Sequence, residues 1–163
     1  MNKINSIKNY YLIILLTCIV SLLSAVYIEH ILNIRPCTLC LYQRAPYIIS
    51  IFICYFGYNY HKNLYWMIIL IIIFIISSFL SGYHVGIENN IFKEFSGCTG
   101  SNLNITNKLE LLESLNNSMP NCKNVDFKLM GLSLATINFI ISIVISIISI
   151  KYFINEKNRQ TKT

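Results

Sequence analysis

Four long stretches without Asp, Glu, Lys or Arg limit most strongly how this chain can fold. They are Asn9–Ile28, Ala45–His61, Asn63–Ile87 and Leu129–Ile150. A helix needs roughly 20 apolar residues to cross about 30 Å of hydrocarbon. Only 12% of the residues are charged, whereas soluble domains are about 25% charged. The chain is therefore too apolar for an ordinary soluble domain.

The four stretches are predicted to be membrane-spanning helices. Within a bilayer only helices and closed barrels satisfy the backbone hydrogen bonds, and these stretches lack the alternating polarity of barrel strands. We predict an all-α membrane protein, a four-transmembrane-helix bundle that forms one domain. The predicted spans are about 10–28, 42–61, 64–84 and 129–150, and the outer loops are 29–41 and 85–128.

Two details concern the first two spans. A cleaved signal peptide is the alternative for the first one, but Leu22 and Leu23 occupy the −3 position of the two candidate cleavage sites, where small residues are needed. The second span is long enough if its helix begins near Leu41, which puts Pro46 in the first turn.

Basic residues predict the orientation. Seven basic residues and one acid fall on the side of the two termini and the 61–63 turn, while the other side has six of each. The positive-inside rule then places both termini in the cytoplasm and both longer loops outside. Because the basic residues flank spans, no nucleic-acid partner is predicted despite a pI near 9.0.

The positions of the six cysteines divide them into two classes. Cys18 and Cys54 lie inside the first two spans and are interpreted as small apolar fillers. The other four lie in the outer loops: Cys37, Cys40, Cys98 and Cys122. An extracytoplasmic compartment is oxidising, so thiols there tend to pair.

The Cys37-x-x-Cys40 motif is interpreted as a redox pair. A haem attachment is excluded because no His follows Cys40. Zinc needs two more ligands; Cys98, Cys122 and His84 are available, but the compartment favours disulfides, so no metal is predicted. Arg44, four residues after Cys40, would lie beside its sulfur on a helix and stabilise a thiolate. The alternative for Arg44 is an anchor at the membrane surface.

These residues resemble the disulfide bond formation protein B (DsbB) family of bacterial inner-membrane thiol oxidoreductases. Arg35–Arg44 is similar to the family signature P-C-x-L-C-x-x-Q-R. The resemblance covers about residues 10–150. Further matching segments are Gly82–Glu88, Gly97–Gly100, Cys122 with Phe127, and Gly131–Asn138.

The resemblance implies an enzyme, a quinone-dependent protein disulfide oxidoreductase of the inner (cell) membrane. Such an enzyme reoxidises a periplasmic thioredoxin-fold disulfide donor (DsbA-like) and passes the electrons to a membrane quinone, ubiquinone or menaquinone. By the same resemblance Cys98 forms the mixed disulfide with the donor, and Cys122 is its intramolecular mate. Cys37 then exchanges with Cys122, and the thiolate of Cys40 interacts with the quinone.

The resemblance also suggests roles for residues outside the cysteine pairs. Arg44 and His84 are the predicted quinone-binding residues, although a lone interfacial His is also a common polar anchor. Glu88 has no assigned role, and Asn138 is interpreted as a helix-packing residue together with Gly131 and Ala135. Leu109, Leu112 and Leu115 predict a short amphipathic helix on the lipid surface in the long outer loop, following a cap at Asn107.

Two other functions fit parts of the pattern. A structural or assembly protein with four spans could use both outer disulfides as permanent staples, because closing a loop of about 25 residues stabilises by roughly 3 to 4 kcal/mol. Lability under mild thiol reagents separates that role from catalysis. An enzyme of the vitamin K epoxide reductase type is the other alternative, but its C-x-x-C lies near the last span rather than before the second.

Overall fold

A computed structural model describes residues 3–60, 63–93, 122, 128–129 and 131–161 of the chain. Four long helices account for most of them. They are α1 (Lys3–His30), α2 (Thr38–Asn59), α3 (Tyr65–Glu88) and α4 (Leu134–Gln160). Two short strands, β1 (Lys128–Leu129) and β2 (Leu132–Ser133), form an antiparallel pair directly before α4.

All four helices are long and apolar enough to cross a membrane. Many large apolar side chains point outward along them, for example Leu23, Phe52, Phe79 and Ile147, each more than half exposed. Such surfaces are unfavourable in water and favourable in hydrocarbon. The predicted all-α, four-helix membrane bundle is thus confirmed.

The bundle core is small and closely packed. Its largest fully buried side chains include Tyr11 of α1 and Met67, Leu70 and Phe74 of α3. Helices α3 and α4 contact each other most extensively, followed by α1 with α2 and then α2 with α3. Buried serines lie between α3 and α4, where the hydroxyl oxygens of Ser77 and Ser142 are 3.0 Å apart. Such small residues let membrane helices approach closely.

The two ends of the bundle differ in the way α1 meets α4. At the end that holds the two termini, Tyr10 donates a hydrogen bond to Ser149 (2.7 Å) and stacks on Tyr152. We call the opposite end, which holds Cys37, Cys40 and His84, the cysteine end. There the facing residues of α1 and α4 line a cavity instead.

Several predicted boundaries differ from the structure. Helix α2 begins at Thr38, so Cys40 lies in its first turn and Pro46 in its interior rather than in its first turn. The fourth helix begins at Leu134 rather than near the predicted start at Leu129, because the strand pair precedes it; Gly131, between the two strands, has φ +84°. The predicted amphipathic helix near Leu109–Leu115 lies outside the described residues.

Candidate functional site

The Cys37–Cys40 pair lies at the start of α2. Cys37 is the N-cap: its sulfur accepts a hydrogen bond from the backbone N–H of Cys40 at 3.3 Å. A helix turn then brings the two sulfurs within 2.9 Å, and both are free thiols. In the structure the thiol of Cys37 donates to the sulfur of Cys40. When Cys37 loses its proton, the neighbouring Cys40 thiol and His84 stabilise the thiolate, which lowers the pKa of Cys37 below its ordinary value. The surroundings therefore favour a thiolate at Cys37. The thiolate at Cys40 that the resemblance implies stays a prediction.

His84 reaches the pair from the last turns of α3. Its side chain is buried, and Nε2 lies 3.7 Å from the sulfur of Cys37 and 3.8 Å from Glu88 Oε1. Glu88 is held in turn by Ser133, whose hydroxyl donates to Oε2 at 2.5 Å. Ser133 also caps α4, so the strand pair and the helix start fix the position of this carboxylate. The imidazole thus sits between a thiol and a carboxylate.

Three side chains extend this network into the bundle. Gln43 Nε2 lies 3.1 Å from His84 Nδ1. Asn138 of α4 donates to Gln43 Oε1 at 3.1 Å and accepts a hydrogen bond from the hydroxyl of Tyr47. The contacts connect α2, α3 and α4, and they fix the ring of His84 through its second nitrogen.

Arg44 lies on the first turns of α2 and is paired. Its Nη1 is 2.6 Å from Glu29 Oε2 at the end of α1, and both side chains are partly exposed. The prediction that Arg44 acts on Cys40 remains a prediction, because the described ion pair joins Arg44 to Glu29. Both residues border the same cavity as Cys40.

A cavity of about 360 Å³ opens beside the thiol pair. Its walls come from α1, the 31–37 connection, α2, α4 and the end of α3. Apolar side chains such as Val20, Leu134 and Ile141 form most of it, while Cys40, Arg44 and His84 contribute sulfur and nitrogen atoms. Pockets for small organic ligands have this size and this mixture of apolar walls with a few polar groups.

Cys122 lies in the same buried cluster as Cys37, together with Leu39 and Ile87. It is fully buried and disulfide-bonded. Cys98, its predicted partner, lies outside the described residues. The structure therefore places one cysteine of the second predicted pair against the first pair.

Comparison with known proteins decides the family. The family profile described as Disulfide bond formation protein DsbB matches residues 7–151. The chain belongs to this family. It is also 30% identical, over 137 residues, to a Rickettsia prowazekii (strain Madrid E) protein whose name, Uncharacterized protein RP370, states no activity; the match covers 80% of this chain and 79% of the relative.

Family membership and the four apolar helices together indicate that this DsbB-family chain is a multi-pass membrane protein and a disulfide oxidoreductase. Its family function is disulfide bond formation. The resemblance seen in the motifs of the sequence is thereby confirmed.

The residues predicted from the sequence are only part of the group that meets at the cysteine end of this DsbB-family chain. The structure brings together five of the six predicted residues, namely Cys37, Cys40, Arg44, His84 and Cys122. Gln43, Tyr47, Glu29 and Ser133 were missed. Polar residues inside or next to predicted spans are rare and usually have partners, so Gln43 and Asn138 carried a readable signal. Asn138 does join helices, as predicted, but it does so through a group that contacts His84.

Proposed function

We propose that this protein reoxidises a periplasmic thioredoxin-fold disulfide donor and passes the electrons to a membrane quinone. The proposal rests mainly on one observation: the free Cys37–Cys40 pair borders an apolar cavity between the first and last helices. A dithiol in that position can meet a lipid-soluble oxidant without leaving the bundle. The proposed orientation has both termini in the cytoplasm and the cysteine end at the periplasmic face.

The cavity fits a quinone ring in size and chemistry. Its apolar walls suit the ring faces and a polyprenyl tail, while Arg44, His84 and Gln43 offer N–H groups for the ring oxygens. When bound, a quinone supplies two-electron oxidation, since it takes up two electrons and two protons to become a quinol. We assign the holding of the ring to Arg44 and His84, with ubiquinone and menaquinone equally compatible.

The protein's own residues prepare the dithiol. The thiol of Cys40 and the imidazole of His84 both stabilise negative charge on the sulfur of Cys37. His84 is also within reach of the Glu88 carboxylate, so it can hold a proton lost by the thiols. Oxidation of the pair releases two electrons and two protons and joins Cys37 to Cys40.

The two cysteine pairs can then exchange. The reduced donor gives up two electrons to a Cys98–Cys122 disulfide. The resulting dithiol then reduces the Cys37–Cys40 disulfide, and this exchange forms the Cys98–Cys122 disulfide again. Each exchange breaks one disulfide and forms another. A further oxidant is therefore needed only when the Cys37–Cys40 pair has become reduced. Support comes from the common buried cluster of Cys122 and Cys37.

The test is quinone consumption by the purified protein in detergent with a reduced thioredoxin-fold donor. We expect the wild type to turn over, and Cys40→Ser and Cys98→Ser to stop. Cys18→Ser is the matched control because Cys18 is a free thiol buried in the main core and does not line the cavity. This control should keep wild-type turnover.

Other results point to the structural alternative. If the wild type is inactive with every quinone and donor tried, and the outer disulfides survive mild reductant, permanent staples explain the cysteines better. A protein that reoxidises the donor without consuming quinone would retain the exchange steps and lose the quinone assignment.

A further inference from the structure

Three potential metal ligands meet at the cysteine end. The ligand atoms of Cys37, Cys40 and His84 all lie within 4.8 Å of one another. Two of the residues are buried, and the third is half-buried. They come from two helices, so the folded bundle, rather than a flexible loop, sets their spacing.

The distances suit a small tetrahedral cation. With Zn–S of about 2.3 Å and Zn–N of about 2.0 Å, tetrahedral geometry puts two sulfurs about 3.8 Å apart and sulfur and nitrogen about 3.5 Å apart. The Cys37 sulfur already lies 3.7 Å from His84 Nε2. The two sulfurs, at 2.9 Å, must separate, and the Cys40 sulfur, which lies within 4.8 Å of the His84 ligand atom, must settle at about 3.5 Å from it. Cys40 has room to move because it borders the cavity.

The surroundings also supply the remaining requirements. A divalent cation neutralises two thiolates, so the loaded site carries no net charge from these three groups. Glu88 Oε1, 3.8 Å from His84 Nε2, is a candidate fourth ligand. Gln43 Nε2 lies 3.1 Å from the other ring nitrogen of His84. In the cation-bound state the amide must turn over so that Gln43 Oε1 accepts the Nδ1–H, which is how outer groups orient metal-bound histidines. Arg44 adds little repulsion because Glu29 pairs with it.

We propose that the reduced site binds one thiophilic divalent cation, such as Zn²⁺, through Cys37, Cys40 and His84. Binding displaces two thiol protons and changes no oxidation state. The sulfurs approach each other to form the disulfide and separate to hold the cation, so the two states exclude each other. A bound cation therefore traps the reduced enzyme and inhibits it.

The inference rests on the proposed function only in that turnover creates the reduced pair. The oxidising compartment favours a redox role over a metal site for Cys37-x-x-Cys40, and the two roles are compatible because they use different oxidation states of the pair. Hard cations such as Mg²⁺ prefer oxygen ligands and should not compete.

The test uses Co²⁺ as a spectroscopic probe and Zn²⁺ as its competitor. The full-length Cys98→Ser/Cys122→Ser protein is reduced in detergent, so that the loop cysteines cannot contribute. We expect one Co²⁺ per chain with thiolate-to-cobalt absorption, displaced by Zn²⁺ and not by Mg²⁺. Cys37→Ser and Cys40→Ser should abolish the absorption, and His84→Phe should weaken binding about tenfold or more.

Two controls need no change at the site. Cys54→Ser, in the main core, should bind as the parent does. The parent oxidised to its Cys37–Cys40 disulfide keeps the same sequence and should bind nothing. Absent absorption in the reduced parent, unchanged absorption in Cys37→Ser, Cys40→Ser or the oxidised parent, or unchanged affinity in His84→Phe would each overturn the proposal.

A failure of cation binding can be told apart from a failure of quinone-linked turnover. Cobalt binding is measured without quinone or donor, while quinone consumption is measured with a metal chelator present. Loss of the first with retention of the second rejects the cation site alone.

Discussion

Two pairs of free cysteines in this bundle show how the surroundings change the chemistry of one kind of side chain. Cys18 and Cys54 lie in the main core among residues such as Leu70 and Phe74. Cys37 and Cys40 lie at the cysteine end, where His84 and a cavity adjoin them. All four are free thiols.

The difference lies in hydrogen bonding and access. An apolar core offers a thiolate neither donors nor reaction partners, so a cysteine there acts as a small apolar filler. At the cysteine end three groups act on the sulfur of Cys37: a backbone N–H at the start of α2, the thiol of Cys40 and the imidazole of His84. We infer that position at a helix start, rather than burial alone, separates the reactive pair from the inert one.

Alkylation of the reduced, folded protein tests this contrast most strongly. At neutral pH we expect Cys37 to react with iodoacetamide at least about a thousand times faster than Cys54, because Cys37 has a lowered pKa and borders the cavity. Mass spectrometry of the two peptides against time gives both rates. Similar rates in the folded protein would remove the distinction; similar rates after unfolding are expected and serve as the control.

A core substitution should separate stability from the site. Phe74 is fully buried and stacks edge-on against Tyr47, so Phe74→Ala should lower the free energy of unfolding by about 3 to 5 kcal/mol. Thermal unfolding in detergent measures this. The exposed Phe79→Ala is the matched control and should change stability little. A larger loss in Phe79→Ala than in Phe74→Ala would mean that the core is wrongly placed.

The fold could be predicted from the sequence because membrane solvent leaves few choices. Length and charge-free composition are enough to specify four helices, since backbone hydrogen bonds must be satisfied within each span. Helix ends were harder. A cysteine that caps α2 and a strand pair that precedes α4 depend on local contacts, Cys37 with Cys40 and Lys128 with Ser133, that hydropathy does not report.

The site divided in the same way. Cysteine spacing and the motif beside it were enough to predict Cys37, Cys40 and Arg44 as site residues. The contacts of His84 could not be predicted, because its partners Gln43, Glu88 and, through Gln43, Asn138 are brought together only by packing of three helices. Arg44 was expected beside Cys40, and its ion pair with Glu29 depends on where α1 ends.

Asn138→Leu should disturb the cysteine end without touching the thiols. Leu keeps the branching of Asn at Cγ, although it is larger, and leaves Gln43 Oε1 and the Tyr47 hydroxyl without their described partner. His84 then loses its fixed orientation, and we expect turnover to fall about tenfold, while the two unpaired buried groups lower the free energy of unfolding by about 1 to 3 kcal/mol. Asn138→Gln, which keeps the amide, should recover part of the rate. Equal turnover in Asn138→Leu and wild type would show that the network only joins helices.

Two buried serines in the middle of the bundle provide the smallest and most closely matched test. Ser50 and Ser77 are both fully buried, but Ser77 has a hydroxyl partner in Ser142, while Ser50 Oγ has no hydrogen-bond partner within the described residues. Removing a paired hydroxyl costs about 1 kcal/mol, whereas removing an unpaired one is close to neutral or stabilising. Ser77→Ala should therefore unfold more easily than Ser50→Ala in the same detergent, with both retaining wild-type turnover. If Ser50→Ala is the less stable variant, the Ser50 hydroxyl of the wild type has a hydrogen-bond partner in the membrane-embedded protein. The middle of the bundle would then have more polar contacts than its contrast with the cysteine end assumes.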